Sequence, residues 1–173
     1  MEKTLTSRLL ETVCYTPAGA EARVLGSDDY PTIRGLVYFW QTALGIVVLS
    51  EISGLPRGKM GVCDRPIYAM HIHDYDEEGE KGGDPTGGES GCRWEVIGAH
   101  FDPENCQHPY HAGDLPPLFA NDGMAWNLVL TDRFSLEQII GEAVIIHDKQ
   151  DDFTSQPSGN SGEKIACGLI EKV

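Results

Sequence analysis

From Ala20 to Ile170 the apolar residues fall in short runs, several of them alternating with polar residues at a period of two, and turn residues close each run. A period of two is the signature of a strand, because successive side chains point to opposite faces. The segment 20–26 alternates in this way, and 32–41 (TIRGLVYFWQ) is rich in β-branched and aromatic residues. Strand 45–55 (GIVVLSEISGL) is stopped by Pro56, and 66–74 (PIYAMHIHD) follows. The segments 93–101, 125–131, 143–147 and 164–170 complete a set of eight predicted strands. Residues 1–17 read as a short amphipathic or frayed lead-in to one domain over 18–173.

Three segments break the pattern. The stretch 74–91 (DYDEEGEKGGDPTGGESG) is acidic and Gly-rich and reads as a solvated loop, and the sequence leaves open whether its acidic part, 74–80, has a partner. Residues 102–121, with their Asp-Pro, His-Pro and Pro-Pro steps, read as a long ordered loop, and 148–162 as a second. Loops of that length inside a compact domain are uncommon and are often functional. The expected fold is therefore all-β: an eight-stranded antiparallel Greek-key sandwich or barrel of Ig-like type with two long functional loops. The 20 Gly and 10 Pro in 173 residues agree with many short strands rather than a few long helices.

The formal net charge of −14 argues against nucleic acid and against anionic membranes, both of which are recognised by basic patches. The longest apolar runs, such as 45–49 and 143–146, are too short to span a bilayer. The opening MEKTLTSRLLETVCY lacks an apolar run followed by a small-residue cleavage site, so a cytoplasmic protein is expected. Five cysteines, at 14, 63, 92, 106 and 167, are an odd count without CxxC spacing, so at least one stays unpaired.

All six histidines lie between positions 71 and 147. His71 and His73 stand two apart in a predicted strand, so both can reach one metal while Ile72 points to the core. His100, His108 and His111 follow, with Asp114 three residues on; His147 closes the set, with Asp151 four residues later. Imidazole is the commonest protein ligand for late transition metals, and the spacing is that of a two-metal site.

The segments IYAMHIHD (67–74), GAHFDPENCQHPYHAGDLPPL (98–118), AVIIHDKQDD (143–152) and GNSGEKIACGLI (159–170) resemble the copper/zinc superoxide dismutase family, and the similarity extends back over 20–55. The resemblance implies an oxidoreductase that converts superoxide to dioxygen and peroxide. It implies copper held by His71, His73, His100 and His147, and zinc held by His100, His108, His111 and Asp114, with His100 shared. In that mechanism His100 leaves copper and takes a proton during turnover. Four imidazoles suit Cu(II), and three imidazoles with a carboxylate suit tetrahedral Zn(II). The resemblance further implies that Asp151 hydrogen-bonds one ligand of each metal. It implies a disulfide from Cys167 to Cys92, with Cys106 as the alternative. A homodimer is compatible with it. A non-catalytic metal-binding relative, such as a copper carrier or a zinc-only protein, is the alternative function; the complete set of copper-type histidines favours the enzyme.

The chain departs from the family pattern at two places. Lys164 stands where the family has an arginine, and it is the expected catalytic cation that draws the anionic substrate, with Lys149 the other cation of that loop. Only two residues separate His108 from His111, which requires a sharp turn at Pro109-Tyr110 and leaves zinc occupancy as the weak point.

Overall fold

The computed structural model describes residues 3–58, 66–76 and 92–173. Helix α1 (Leu5–Tyr15) leads into β1 (Ala20–Gly26), β2 (Arg34–Thr42) and β3 (Gly45–Ser53). Then come β4 (Ile67–Tyr68), β5 (Met70–Tyr75), β6 (Ile97–His100), β7 (Leu118–Phe119), β8 (Ala125–Thr131), the short helix α2 (Leu136–Ile139), β9 (Ala143–His147) and β10 (Lys164–Lys172). Eight strands form one curled antiparallel sheet in the order β6-β5-β9-β10-β1-β2-β3-β8, and β4 pairs with β7 apart from it. After β3 the chain crosses to the far end of the sheet for β5 and β6 and returns to place β8 beside β3, the crossing of a Greek key. Among the described residues no helix is long and apolar enough to cross a membrane.

The concave face holds the core: Val24, Val37, Phe39, Ile46, Val48, Ile72, Ile146 and Ile170 interlock there, all fully buried or nearly so. A second apolar group lies outside it. Trp40, Val47 and Leu49 project from β2 and β3 and are covered by Leu9 and Val13 of α1. This explains why 46–49 is apolar throughout rather than alternating: both faces of β3 are buried there, one by the core and one by the helix.

The lead-in at 1–17, read as amphipathic or frayed, contains a docked amphipathic helix. Its start is capped by the Thr4 hydroxyl, which accepts from the Ser7 N–H at 3.2 Å. Its end is fixed where the Trp40 indole donates to the Thr16 carbonyl at 2.9 Å. The predicted strand 66–74 is broken at Ala69, whose N–H turns away to the Lys149 carbonyl at 2.8 Å. Of the predicted strand 93–101, only 97–100 forms a strand; Trp94–Val96 forms a single 3₁₀ turn. The loop 102–121 contains β7, and the connection 135–141 contains α2. Of the acidic stretch 74–80, residues 77–80 lie outside the described residues.

Cys92 and Cys167 form a disulfide that ties the segment before β6 to β10 across 75 residues of sequence. Such a closure contributes about 2–4 kcal/mol, largely by restricting the unfolded chain. Cys106 is a free, exposed thiol, so the alternative pairing is excluded, and Cys14 is likewise free and exposed.

Candidate metal centre

The sheet brings the first four histidines together. His71 and His73 lie on β5, which pairs with β9, and His73 stands opposite His100 at the end of β6. His147 ends β9 and stands opposite Lys164 at the start of β10. Ile72, between the two β5 histidines, points into the core. All six histidines are buried, as are Asp114 and Asp151. His108, His111 and Asp114 come from the loop after β6, which reaches β5 through a bridge between His71 and Asp114.

The donor atoms converge in two groups of four. One atom each of His71, His73, His100 and His147 lies within 4.8 Å of the others, and so does one each of His100, His108, His111 and Asp114. His100 belongs to both.

The second nitrogen of each ring shows which atom is left for a ligand. His71 donates through Nε2 to Asp151 Oδ2 at 2.9 Å, leaving its buried Nδ1 without a hydrogen-bond partner. His108 donates through Nε2 to Asp151 Oδ1 at 2.9 Å, again leaving Nδ1. His73 Nδ1 donates to the Gly98 carbonyl at 2.9 Å and His147 Nδ1 to the Gly162 carbonyl at 3.4 Å. Their two Nε2 atoms then face one another at 3.2 Å, acceptor against acceptor. His100 Nδ1 lies 2.7 Å from Asp114 Oδ1, while its Nε2 and the Nδ1 of His111 are buried and unpaired.

Burying an unpaired acceptor costs about 1–3 kcal/mol. Four orphaned ring nitrogens and one facing pair in a single buried cluster would be satisfied together by two cations. The donor types fit copper in the all-imidazole group and zinc in the group with the carboxylate.

Protonation agrees. Burial, with the neighbouring imidazoles adding to it, pushes His71 down to about 3 and His147 down to about 4. Burial likewise holds His73 well below the ordinary imidazole range. These rings are neutral at pH 7, the form that binds metal. Burial alone would raise Asp114, but the His100 hydrogen bond and the nearby imidazoles outweigh it and hold the carboxyl at about 2. For Asp151, hydrogen bonds from His71, Phe153 and His108 outweigh burial in the same way and keep it ionised.

Asp151 therefore joins one histidine of each group, and its seat depends on Gly159. A Cβ at Gly159, where φ is 66°, would overlap Asp151 Oδ1 and come within 2.7 Å of His108 Nε2. Lys164 sits beside His73 and His147, half-buried, with Nζ donating to the carbonyls of Ile97 at 3.0 Å and Gly98 at 3.4 Å. Burial lowers its pKa. Lys149 is exposed and away from such contacts; only its backbone is engaged, with Ala69 and Ser161.

The turn at Pro109-Tyr110 closes with the Tyr110 N–H on the Gln107 carbonyl at 2.8 Å, and Tyr110 points outward. Two residues that the sequence did not single out hold this turn. Gln156 bonds the backbone of His108, and Arg133 bonds the carbonyls of Pro109, His111 and Asp114. Both act on main-chain atoms, which leave no trace in residue type, so no motif could have found them. Gly159 lies within GNSGEKIACGLI, but its contact with Asp151 is visible only in three dimensions.

Comparison with known proteins matches residues 33–170 to the family described as copper/zinc superoxide dismutase. A Cu-Zn superoxide dismutase of Legionella pneumophila is 32% identical over 158 residues, covering 87% of this chain and 85% of that protein. One of Photobacterium leiognathi is 32% identical over 149 residues, covering 79% and 78%. The copper chaperone for superoxide dismutase of Homo sapiens is 30% identical over 168 residues, covering 89% of this chain and 53% of that protein.

Proposed function

The chain belongs to the copper/zinc superoxide dismutase family, and from that premise we propose that it is an enzyme that disproportionates superoxide to dioxygen and hydrogen peroxide. The observation that carries the reading is the pair of four-ligand groups with His100 in common, complete and buried.

In this reading His71, His73, His100 and His147 would hold copper, and His100, His108, His111 and Asp114 would hold zinc. Bound copper supplies one-electron chemistry toward superoxide, and bound zinc supplies a fixed positive charge. The chain does the rest. Gly98 and Gly162 carbonyls and the Asp151 carboxylate fix the tautomer of four rings, so each presents a lone pair inward. His100 Nε2 has no protein partner and faces the all-imidazole group, so it is the atom that would hold a proton whenever copper does not occupy its lone pair. Lys164, the cation beside His73 and His147, draws the anionic substrate in a protein that is otherwise strongly negative. A cytoplasmic placement belongs to the same proposal; it requires the Cys92–Cys167 bond to persist among reductants, and both cysteines are buried.

The test is reconstitution of the full chain with both metals. One copper and one zinc per chain, a Cu(II) spin-resonance spectrum of tetragonal nitrogen ligation, and catalytic loss of superoxide are expected. Stoichiometric binding of both metals without superoxide consumption would sink the enzymatic reading. The second reading, a copper carrier, draws on the similarity to a copper chaperone. A carrier should surrender copper rapidly to a competing protein, whereas the enzyme should retain it.

A further inference from the structure

Within the long loop that bears the zinc-type ligands the turn from His108 to His111 is short, with only Pro109 and Tyr110 between the two histidines, and it has few bonds of its own. Within it, the Tyr110 N–H reaches Gln107 and the Asp114 N–H reaches His111 at 3.2 Å. The carbonyls of His108, Pro109, His111 and Asp114 are engaged by side chains from outside the turn. Gln156, on the second long loop, meets both backbone groups of His108: its Oε1 accepts from the His108 N–H at 3.0 Å, and its Nε2 donates to the His108 carbonyl at 2.7 Å. A primary amide that pairs with one peptide residue in both directions acts as a strand partner would, fixing position and orientation together. Arg133, between β8 and α2, places one guanidinium nitrogen on three carbonyls of the same turn: Pro109 at 3.1 Å, His111 at 3.1 Å and Asp114 at 3.3 Å.

We propose that Gln156 and Arg133 are positioning residues for the zinc-binding group, holding the 108–114 backbone so that His108, His111 and Asp114 converge despite the short spacing. The proposal rests on the two-metal reading above. Neither residue touches an imidazole or the Asp114 carboxylate; each acts through the main chain that carries them. The grips are independent, one from the segment before α2 and one from the loop that also carries Asp151. With Asp151 on the His108 ring, the second loop holds His108 by three bonds: backbone N–H, backbone carbonyl and Nε2. The turn thus gains from two distant segments the rigidity that a longer loop would build from its own hydrogen bonds.

The experiment uses the full chain with its disulfide intact and cobalt(II) as the probe of the zinc group. Parent, Gln156→Glu, Gln156→Leu, Arg133→Lys and Arg133→Met are compared in zinc affinity, by competition with a chromophoric chelator, and in the visible spectrum of bound cobalt at saturation. Gln156→Glu keeps the acceptor for the His108 N–H and loses the donor to its carbonyl, so it retains half the grip. Weakening of zinc affinity by about 10-fold is expected for Gln156→Glu and up to about 100-fold for Gln156→Leu and Arg133→Met, in line with the loss of groups that orient metal ligands. Arg133→Lys, a cation able to reach fewer carbonyls at once, should fall between Arg133→Met and the parent. The saturated cobalt spectrum should change in band position or intensity in the same order. Affinities within about 2-fold of the parent, with an unaltered cobalt spectrum, would overturn the proposal. So would lowered thermal stability with the parent's spectrum at saturation, since that marks a structural role only. A parent chain that takes up no cobalt in this group overturns the two-metal reading itself.

Discussion

The two ligand groups are built by opposite means. The copper-type group is borne by strands: His71 and His73 on β5, His147 at the end of β9, with His100 at the end of β6. Their places follow from sheet register and from core residues such as Ile72 and Ile146 beside them. The zinc-type group takes three of its four ligands from a loop, placed by a hydrogen bond to Asp151 and by those from Gln156 and Arg133. A strand-borne site is as rigid as the sheet, so losing one side chain removes a ligand without moving the others. A loop-borne site depends on a few contacts and on the ion it holds, so the same size of change should have different consequences in the two regions.

The largest effect should come from the strand side. His73→Ala removes a copper donor and one half of the facing Nε2 pair. It is expected to abolish copper retention and copper-dependent activity while zinc content and circular dichroism stay near those of the parent. Asp114→Ala is its counterpart on the loop. It removes the one carboxylate of the zinc group and the acceptor of the His111 N–H, at 3.0 Å. Zinc should be lost and the melting temperature should fall, because a bound structural metal contributes directly to folding. Equal loss of copper in both variants would break the division between the two regions.

Gly159→Ala tests the link between them, with an intermediate effect. The new methyl collides with Asp151 Oδ1 at a positive φ, displacing the carboxylate that serves both His71 and His108. Backbone strain of this kind costs about 1–3 kcal/mol. For a chain of this size that corresponds to roughly 3–10 °C in melting temperature. Both metals should be retained less well, which a change confined to one region would not produce.

Acid sharpens the comparison in the metal-free protein. The folded-state pKa values of His71 (about 3) and His147 (about 4) lie below the ordinary 6.5. Below about pH 6.5 the unfolded chain binds protons that these buried rings refuse, so stability falls as pH drops toward 4. Asp114 adds stability above about pH 4 that is lost as pH falls toward 2, through its folded value. Urea unfolding between pH 7 and pH 4 should therefore show a falling midpoint. A flat profile over that range would mean that the strand-borne rings are not held neutral.

What the sequence disclosed follows the same division. The strands and the pair His71 and His73 were legible because alternation encodes which side chains share a face. Helix α1 was not, because its apolar partners Trp40, Val47 and Leu49 sit in segments whose hydrophobicity a buried strand already explains. Strand β7 is two residues long and lies within a proline-rich run, too short for any period to register. The break at Ala69 comes from a bond to the Lys149 backbone, which no side chain announces. In the site the ligand residues could be named because their segments resemble the family's motifs, whereas the grips of Gln156 and Arg133 on peptide groups belong to no motif and could not.

The smallest effect concerns Lys164, which belongs to neither group but stands at the strand-borne one. The chain carries −14 and the proposed substrate is an anion, so a local cation matters more than net charge. The ammonium is half-buried and tied to the Ile97 and Gly98 carbonyls, the latter also accepting from His73. It therefore offers a charge to the field but few free donors to an incoming oxyanion. Lys164→Ala should slow superoxide capture, and Lys164→Glu should slow it further, each by up to about 10-fold at low salt, the low end of electrostatic steering. Copper content should not change. Added salt should narrow the gap, because screening cuts the reach of the field to about 10 Å at 0.1 M. Lys164→Arg should equal or exceed the parent, since a guanidinium can hold the carbonyls and still present N–H groups outward. The measurement is the second-order rate constant against ionic strength for the four proteins. If Lys164→Glu matches the parent at low salt, Lys164 serves only to hold the Ile97–Gly98 backbone beside His73, and the exposed Lys149 becomes the cation to test.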